Sequence, residues 1–307
     1  MIPVDVLLGT VLFFQTGIGV QGNFFLIYLF SFLFFTGQRM RPIDLILTQL
    51  AVANSLLLLS RGVMEGLAVL GLKNVLDDIG CKIVFYLHRV GRGLSLSTTC
   101  LLSGFQAIII SSHNPRWIKF KAIVPRYIMP SILFCWIFHM LKNIIILIKL
   151  RGPKGTGNIS ETKDYVYCSV NVTDVISASL HGLVISLPDA VCMAFLSFNT
   201  GYKICLLYKH HKRVQGVRTD TSLHRAFPET RATQMILLLV SIFLTFYLLN
   251  SILTGCMNSM TVSRWMIHSS AFLAACFPMV SPFVLIKSDP QIMRYYNTVQ
   301  RRKKSKY

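Results

Sequence analysis

Residues 6–35 read VLLGTVLFFQTGIGVQGNFFLIYLFSFLFF, without one Asp, Glu, Lys, Arg or His. A helix rises about 1.5 Å per residue and a bilayer core is about 30 Å thick, so roughly 20 apolar residues cross it. This run is long enough to do so. It is also too long for the apolar segment of a cleavable signal peptide, and no Lys or Arg precedes it. It reads as a span that inserts itself and stays.

Six further runs follow, and the predicted spans are 6–35, 43–70, 83–111, 127–148, 175–207, 233–255 and 265–286. The second and third carry charge inside: Arg61 and Glu65, then Arg89 and Arg92. The fourth carries Lys142 near its end, and Pro130, Pro188, Pro278 and Pro282 fall within spans, where membrane helices tolerate them. The 307 residues are 53% hydrophobic and 14% charged, too little charge to cover a soluble surface. The predicted class is an all-α, seven-transmembrane bundle formed by 1–307 as one domain, ending in a basic tail at 287–307.

The net charge of +19 is distributed by topology. Arg39 and Arg41, Arg116 to Arg126, Lys209 to Arg231, and the tail Arg301 to Lys306 all fall on one side of a seven-span chain. Basic connectors stay in the cytoplasm, which puts the N-terminus outside and the C-terminus inside. Those residues also meet anionic lipid head groups. A nucleic-acid partner is not expected.

Six cysteines lie in or beside spans and read as small packing residues. Cys81 and Cys168 lie on the outer, oxidising side, where a bridge is chemically reasonable. Asn158-Ile159-Ser160 is a glycosylation sequon in a polar, Gly-rich outer loop. Asn171-Val172-Thr173 has the same pattern but abuts the fifth span. No cysteine or histidine pair has metal-ligand spacing, and no phosphate loop, paired carboxylates or His-Glu-x-x-His is present. Neither an enzyme nor a cofactor is expected. A transporter or channel would show internal repeats and a path of intramembrane carboxylates. No repeat is visible, and only Glu65 and Asp189 lie well inside spans. A ligand-evoked calcium response that needs a G protein separates receptor from transporter.

Four motifs resemble one family. His88-Arg89-Val90-Gly91-Arg92-Gly93-Leu94-Ser95 with Thr98-Thr99-Cys100-Leu101-Leu102-Ser103 is similar to the third span of vomeronasal type-1 receptors. Leu50-Ala51-Val52-Ala53-Asn54-Ser55, running into Leu58-Leu59-Ser60-Arg61-Gly62, resembles their second. Pro228-Glu229-Thr230-Arg231-Ala232-Thr233-Gln234 resembles the start of their sixth, and Phe277-Pro278-Met279-Val280-Ser281-Pro282-Phe283-Val284-Leu285 their seventh. The resemblance implies a chemosensory G-protein-coupled receptor of the plasma membrane. Its implied partners are a pheromone-like small molecule and a heterotrimeric G protein of the inhibitory class. Bitter-taste receptors are the nearest alternative.

Gly22-Asn23, Trp136 and the Cys81–Cys168 pair also resemble the wider rhodopsin-like receptors. Asn54 stands where those usually carry Asp, Phe105-Gln106-Ala107 where they carry Asp-Arg-Tyr, and Ser281-Pro282 where they carry Asn-Pro. Their ionic devices therefore do not transfer.

Two expectations follow for sites. Arg61, Glu65, His88, Arg89 and Arg92 occupy the outer halves of the second and third spans. They predict a polar outer cavity in which Glu65 neutralises one arginine. The remaining basic excess favours ligands with acceptors or negative charge, such as steroid acids or sulfates. At the inner face Gln106, Arg116, Lys119, Glu229 and Arg231 are candidates for G-protein coupling. Pro228 is expected at the first helical position of the sixth helix, with Glu229 at the positive end of its dipole. The resting lock is expected to rest on neutral hydrogen bonds around Gln106.

Overall fold

A computed structural model describes residues 3–37, 41–69, 77–110, 115–151, 162–165, 168–171, 175–216, 223–259 and 264–288, though not every side chain within them. Seven helices carry the fold: α1 (Pro3–Phe35), α2 (Pro42–Val69), α3 (Asp78–Ile110), α4 (Pro115–Lys149), α5 (Val175–Gly216), α6 (Leu223–Ser259) and α7 (Arg264–Ser288). By their described residues five of them, α1, α2, α4, α6 and α7, are long and apolar enough to cross a membrane.

Local chemistry sets the helix ends. Gly37, at φ 72°, accepts the left-handed turn that stops α1. Pro42 opens α2, and Asp44 reaches back to accept the backbone N–H of Arg41 at 2.9 Å, a reciprocal cap. Asp77 accepts the N–H of Gly80 at 2.8 Å and caps α3.

The burial pattern is inverted relative to a soluble bundle. Phe14, Tyr28, Phe34 and Phe134 point outward, each more than 60% exposed. Inside lie Asn23, Asn54, Ser95, Thr98, Thr99, Ser103, Lys203 and Ser281. Helices that bury polar side chains and expose aromatic ones require a lipid surround, because only there does the apolar face leave water. The apolar core is laid between α1, α2, α3, α6 and α7 by Leu26, Phe30, Ile46, Leu50, Leu96, Leu239, Phe243 and Phe277. α3 is the central helix, packed on α2, α4 and α5 and touching α6.

Small residues bring the helices close. A Cβ on Gly91 would meet the backbone N of Leu57 at 2.9 Å and the carbonyl of Ala53 at 3.2 Å. A Cβ on Gly22 would meet Pro282 at 2.8 Å, and one on Gly93 would collide with the imidazole of His139.

A small antiparallel sheet, which the sequence reading does not contain, follows α4. β1 (Leu150–Arg151), β3 (Cys168–Asn171) and β2 (Thr162–Tyr165) pair in that order, with Arg151 opposite Ser169 and Tyr165 opposite Cys168. β1 lies against α3 and so sits beside its outer end.

Two inner-face expectations are corrected. The basic stretch 116–126 is not a loop: Pro115 starts α4, and the helix runs unbroken through those residues. α6 begins at Leu223, so Pro228 is the sixth helical residue and Glu229 lies beyond the first turn. There the missing N–H of Pro228 removes a bond to the carbonyl of residue 224 instead of falling among the free N–H groups of a helix start.

Candidate functional site

A cavity opens between α2, α3, α6 and α7. Leu57, Phe243, Phe246, Leu273 and Phe277 form its apolar wall. His88, Arg92, Ser95, Tyr247 and Asn250 supply its polar atoms. Pro278 also lines it and has no N–H, so the carbonyl of Ala274, four residues earlier and also at the cavity, lacks its helical donor. The cavity volume is about 40 Å³. That holds a few water molecules, so a larger ligand requires the helices to part.

The cation of this cavity is Arg92. Its guanidinium sits 4.9 Å from the ring centroid of Tyr247, a cation–π contact between α3 and α6. The Tyr247 hydroxyl donates to Asp189 on α5 at 3.0 Å. Asp189 also accepts from Lys142 on α4 at 2.9 Å, with the Lys142 side chain only 6% exposed. Four helices thus meet in one polar chain, Lys142–Asp189–Tyr247–Arg92. Asp189 is satisfied by Lys142 and Tyr247, and among the described residues Arg92 has no carboxylate partner. His88 Nδ1 is buried without a hydrogen-bond partner.

The cavity floor continues into a second polar layer. Ser95 donates to Asn54 Oδ1 at 2.7 Å, and Asn54 Nδ2 donates to Ser281 Oγ at 2.9 Å. Asn23 Nδ2 donates to the carbonyl of Pro278 at 2.8 Å. That last bond has a local cause. Pro282 has no N–H, so the carbonyl four residues before it lacks its helical partner, and Asn23 supplies one. α1, α2, α3 and α7 are tied together at this depth.

A third layer lies one turn from the inner end of α3. Lys203 of α5 is completely buried, and its ammonium donates to Ser103 Oγ at 2.8 Å and Gln106 Oε1 at 3.2 Å.

The profile of the vomeronasal organ pheromone receptor family matches residues 6–298. The chain belongs to the vomeronasal type-1 receptor family. Vomeronasal type-1 receptor 4 of Homo sapiens is 40% identical over 282 residues, 92% of this chain and 94% of that receptor. Vomeronasal type-1 receptor 1 of Homo sapiens is 41% identical over 290 residues, 94% of this chain and 82% of the relative. A more distant relative, olfactory receptor class A-like protein 1 of Danio rerio, is 29% identical over 280 residues, 91% of this chain and 88% of the relative. Vomeronasal type-1 receptors are multi-pass chemosensory G-protein-coupled receptors of the plasma membrane and not enzymes. Membership implies a pheromone ligand and G-protein coupling.

Within this receptor bundle the expected ligand residues divide. His88 and Arg92 line the cavity. Arg89 turns toward α4, where its Nε lies 3.4 Å from Asn143 Oδ1. Arg61 is half-buried near the outer end of α2. The side chain of Glu65 lies outside the described residues, as do those of Arg116, Lys119, Glu229 and Arg231, and Asn158 entirely. Cys81 is buried and disulfide-bonded. Six other cysteines are free, and the side chain of Cys168 is outside the described residues. Neutral hydrogen bonds are expected around Gln106, but its donor is the Lys203 ammonium; among the described residues no acid joins the contact.

Sequence reasoning missed Tyr247, Asn250, Lys203 and the pairing of Lys142 with Asp189. For that pair a signal existed, since two opposite charges inside neighbouring spans need one another.

Proposed function

We propose that this vomeronasal-type chain binds a small, largely apolar molecule with a hydrogen-bond acceptor or negative charge in the outer cavity. Binding there activates a heterotrimeric G protein of the inhibitory class. One observation carries the ligand chemistry: Arg92 reaches a mainly apolar cavity with no acid of its own among the described residues. An intramembrane arginine costs about 2.5–3.5 kcal/mol on insertion scales, so a ligand that offers it an acceptor recovers part of that cost. Steroid acids and sulfates have this combination of apolar body and anionic end.

Activation is a shift between two states. The closed cavity is too small for such a ligand, so the ligand favours the form in which α6 has moved, in proportion to its differential affinity. Tyr247 links the two events, because it meets Arg92 on one side and ties α6 to α5 through Asp189 on the other. Inside, the helical extensions of α4 and α6 carry Arg116, Lys119, Glu229 and Arg231, which we assign to the G-protein groove. Pro228, inside α6, supplies a weak point at which that helix can bend.

We further propose that Cys81 pairs with Cys168 and that Asn158 carries a glycan. The bonded state of Cys81, the free state of six other cysteines, and the start of β3 at Cys168 support the pairing. Such a bridge typically contributes about 2–4 kcal/mol.

The deciding experiment is a calcium assay in cells expressing the receptor, with acidic and neutral steroids matched in shape. Arg92→Ala should reach the surface and lose roughly tenfold or more in sensitivity to the acids, with little change for neutral ligands. Full sensitivity to acids in that variant refutes the ligand reading. Pertussis toxin should abolish the response, and its persistence refutes the inhibitory class.

A further inference from the structure

Lys203 is the largest buried charge that the outer cavity and its relay do not use. Its ammonium has three N–H donors, of which Ser103 and Gln106 take two. Both acceptors are neutral, and no carboxylate meets it among the described residues. The side chain is fully buried, so water does not finish the task, and a buried charge without a counter-charge is costly.

Its neighbours make the site more electropositive. Gln106 turns its carbonyl oxygen to the ammonium, and this orientation is chemically forced, because the flipped amide would set two donors against a cation. Gln106 Nε2 therefore faces away, buried and without a partner. Asn199 stands four residues before Lys203 on α5 and so shares its helix face. It is 7% exposed, and its Nδ2 is also buried without a partner. A cation and two buried amide groups, one touching it and one a helical turn away, thus carry N–H donors that no protein acceptor takes. Buried donors are normally satisfied, so each orphan needs an explanation. A negatively charged, acceptor-rich occupant beside Lys203 would give such donors a partner.

We propose that Lys203, Gln106 and Asn199 form an anion site at the inner end of α3 and α5. Its occupant is one compact monovalent anion: a chloride from the cytosol or a carboxylate carried by a docked partner. The site is distinct from the ligand cavity, which lies on the other side of the Ser95–Asn54–Ser281 layer.

The test uses the full-length receptor purified in detergent, melted in sodium chloride, sodium acetate and sodium gluconate at equal ionic strength. Gluconate is the bulky reference. An anion that binds the folded form alone raises the melting temperature saturably, here by about 2–5 °C. Chloride without acetate names the free ion as source. Acetate without chloride names a partner's carboxylate. A rise with both establishes the compact-anion site. Lys203→Met should remove the salt dependence. Gln106→Glu places a carboxylate beside the ammonium, so that variant should melt higher than the parent and ignore the choice of anion. It also keeps the test open where Lys203→Met fails to fold. Equal melting in all three salts overturns the proposal, and so does a dependence that survives in Gln106→Glu. Because the readout is melting, loss of signalling in either variant bears on G-protein coupling alone.

Discussion

Replacing Asp189 with Asn isolates the charge in the outer relay. The Asn carbonyl still accepts from the Tyr247 hydroxyl, now 3.0 Å from Asp189, and the shape is kept. What is lost is the counter-charge of Lys142, whose ammonium lies 2.9 Å from the carboxylate with its side chain 6% exposed. At that distance and an effective dielectric near 20, the attraction is about 6 kcal/mol. Desolvation of both groups cancels most of this, so the intact pair is worth little more than two apolar residues. Breaking it is different, because it strands a buried cation, at a cost of about 3–5 kcal/mol. Asp189 is 21% exposed, which lowers that to about 2–4 kcal/mol. At roughly 2 °C per kcal/mol for a chain of this size, Asp189→Asn should melt about 4–8 °C below the parent in detergent. Lys142→Met should cost less, since the carboxylate keeps Tyr247. The double variant should return to within about 2 °C of the parent. If the double variant instead falls by the sum of the two single losses, the residues do not act as a pair and the reasoning fails.

Tyr247→Phe keeps the ring over Arg92 but cuts the tie from α6 to α5, so basal G-protein activation should rise in a ligand-free nucleotide-exchange assay. An unchanged basal rate would remove Tyr247 from the switch. Asn54→Leu strands Ser95 and Ser281 in the bundle centre and should cost about 1–3 kcal/mol, visible as a melting loss of a few degrees. Gly91→Ala drives a Cβ to 2.9 Å from the backbone N of Leu57. Backbone cannot yield as a side chain can, so overpacking of about 1–3 kcal/mol should lower surface expression, whereas Gly17→Ala, in open space, should not.

The sequence shows its apolar runs plainly, and the described residues of each lie on a helix. It does not show where the helices stop, because hydropathy ends where lipid ends while a helix ends at a cap or a proline. That is why α4 extends back to Pro115 and α6 to Leu223 through charged residues read as connectors. The same gap hides Lys203. Lys203 falls inside the predicted fifth span, one turn from its end, and only the packing of α5 on α3 reveals that it turns inward to Ser103 and Gln106. The motif at 88–95 is legible as a motif, and packing explains its composition. Val90 and Leu94 enter the core, Gly91 admits α2, Gly93 admits His139, and Ser95 bonds Asn54.

α3 is described throughout its length, yet it is not among the helices apolar enough to be read as spans, although it is the central helix of the bundle. The paradox resolves on its helical wheel. His88, Arg92, Ser95, Thr99, Ser103 and Gln106 follow one another at spacings of three or four, which places them on a single face. That face meets the outer cavity at His88 and Arg92, the Asn54 layer at Ser95, and Lys203 at Ser103 and Gln106. A stripe of this kind lowers mean hydropathy in proportion to its length, so the weakness of the sequence signal measures how much polar chemistry the helix carries inward. In a bundle where lipid accepts only apolar surface, such a helix is stable only at the centre, with its polar face turned to the other helices. The same requirement makes α3 a single rigid element that runs from the outer cavity to the Lys203 layer. A rotation or shift of α3 by a fraction of a turn alters all three layers together. This predicts that substitutions in the middle layer, at Ser95 or Asn54, change ligand sensitivity and basal activity in the same variant, whereas substitutions at Lys142, outside the stripe, change stability with little effect on coupling once Asp189 is neutralised. A Ser95→Ala receptor with normal melting, unaltered sensitivity and unaltered basal activity would show that the layers act independently.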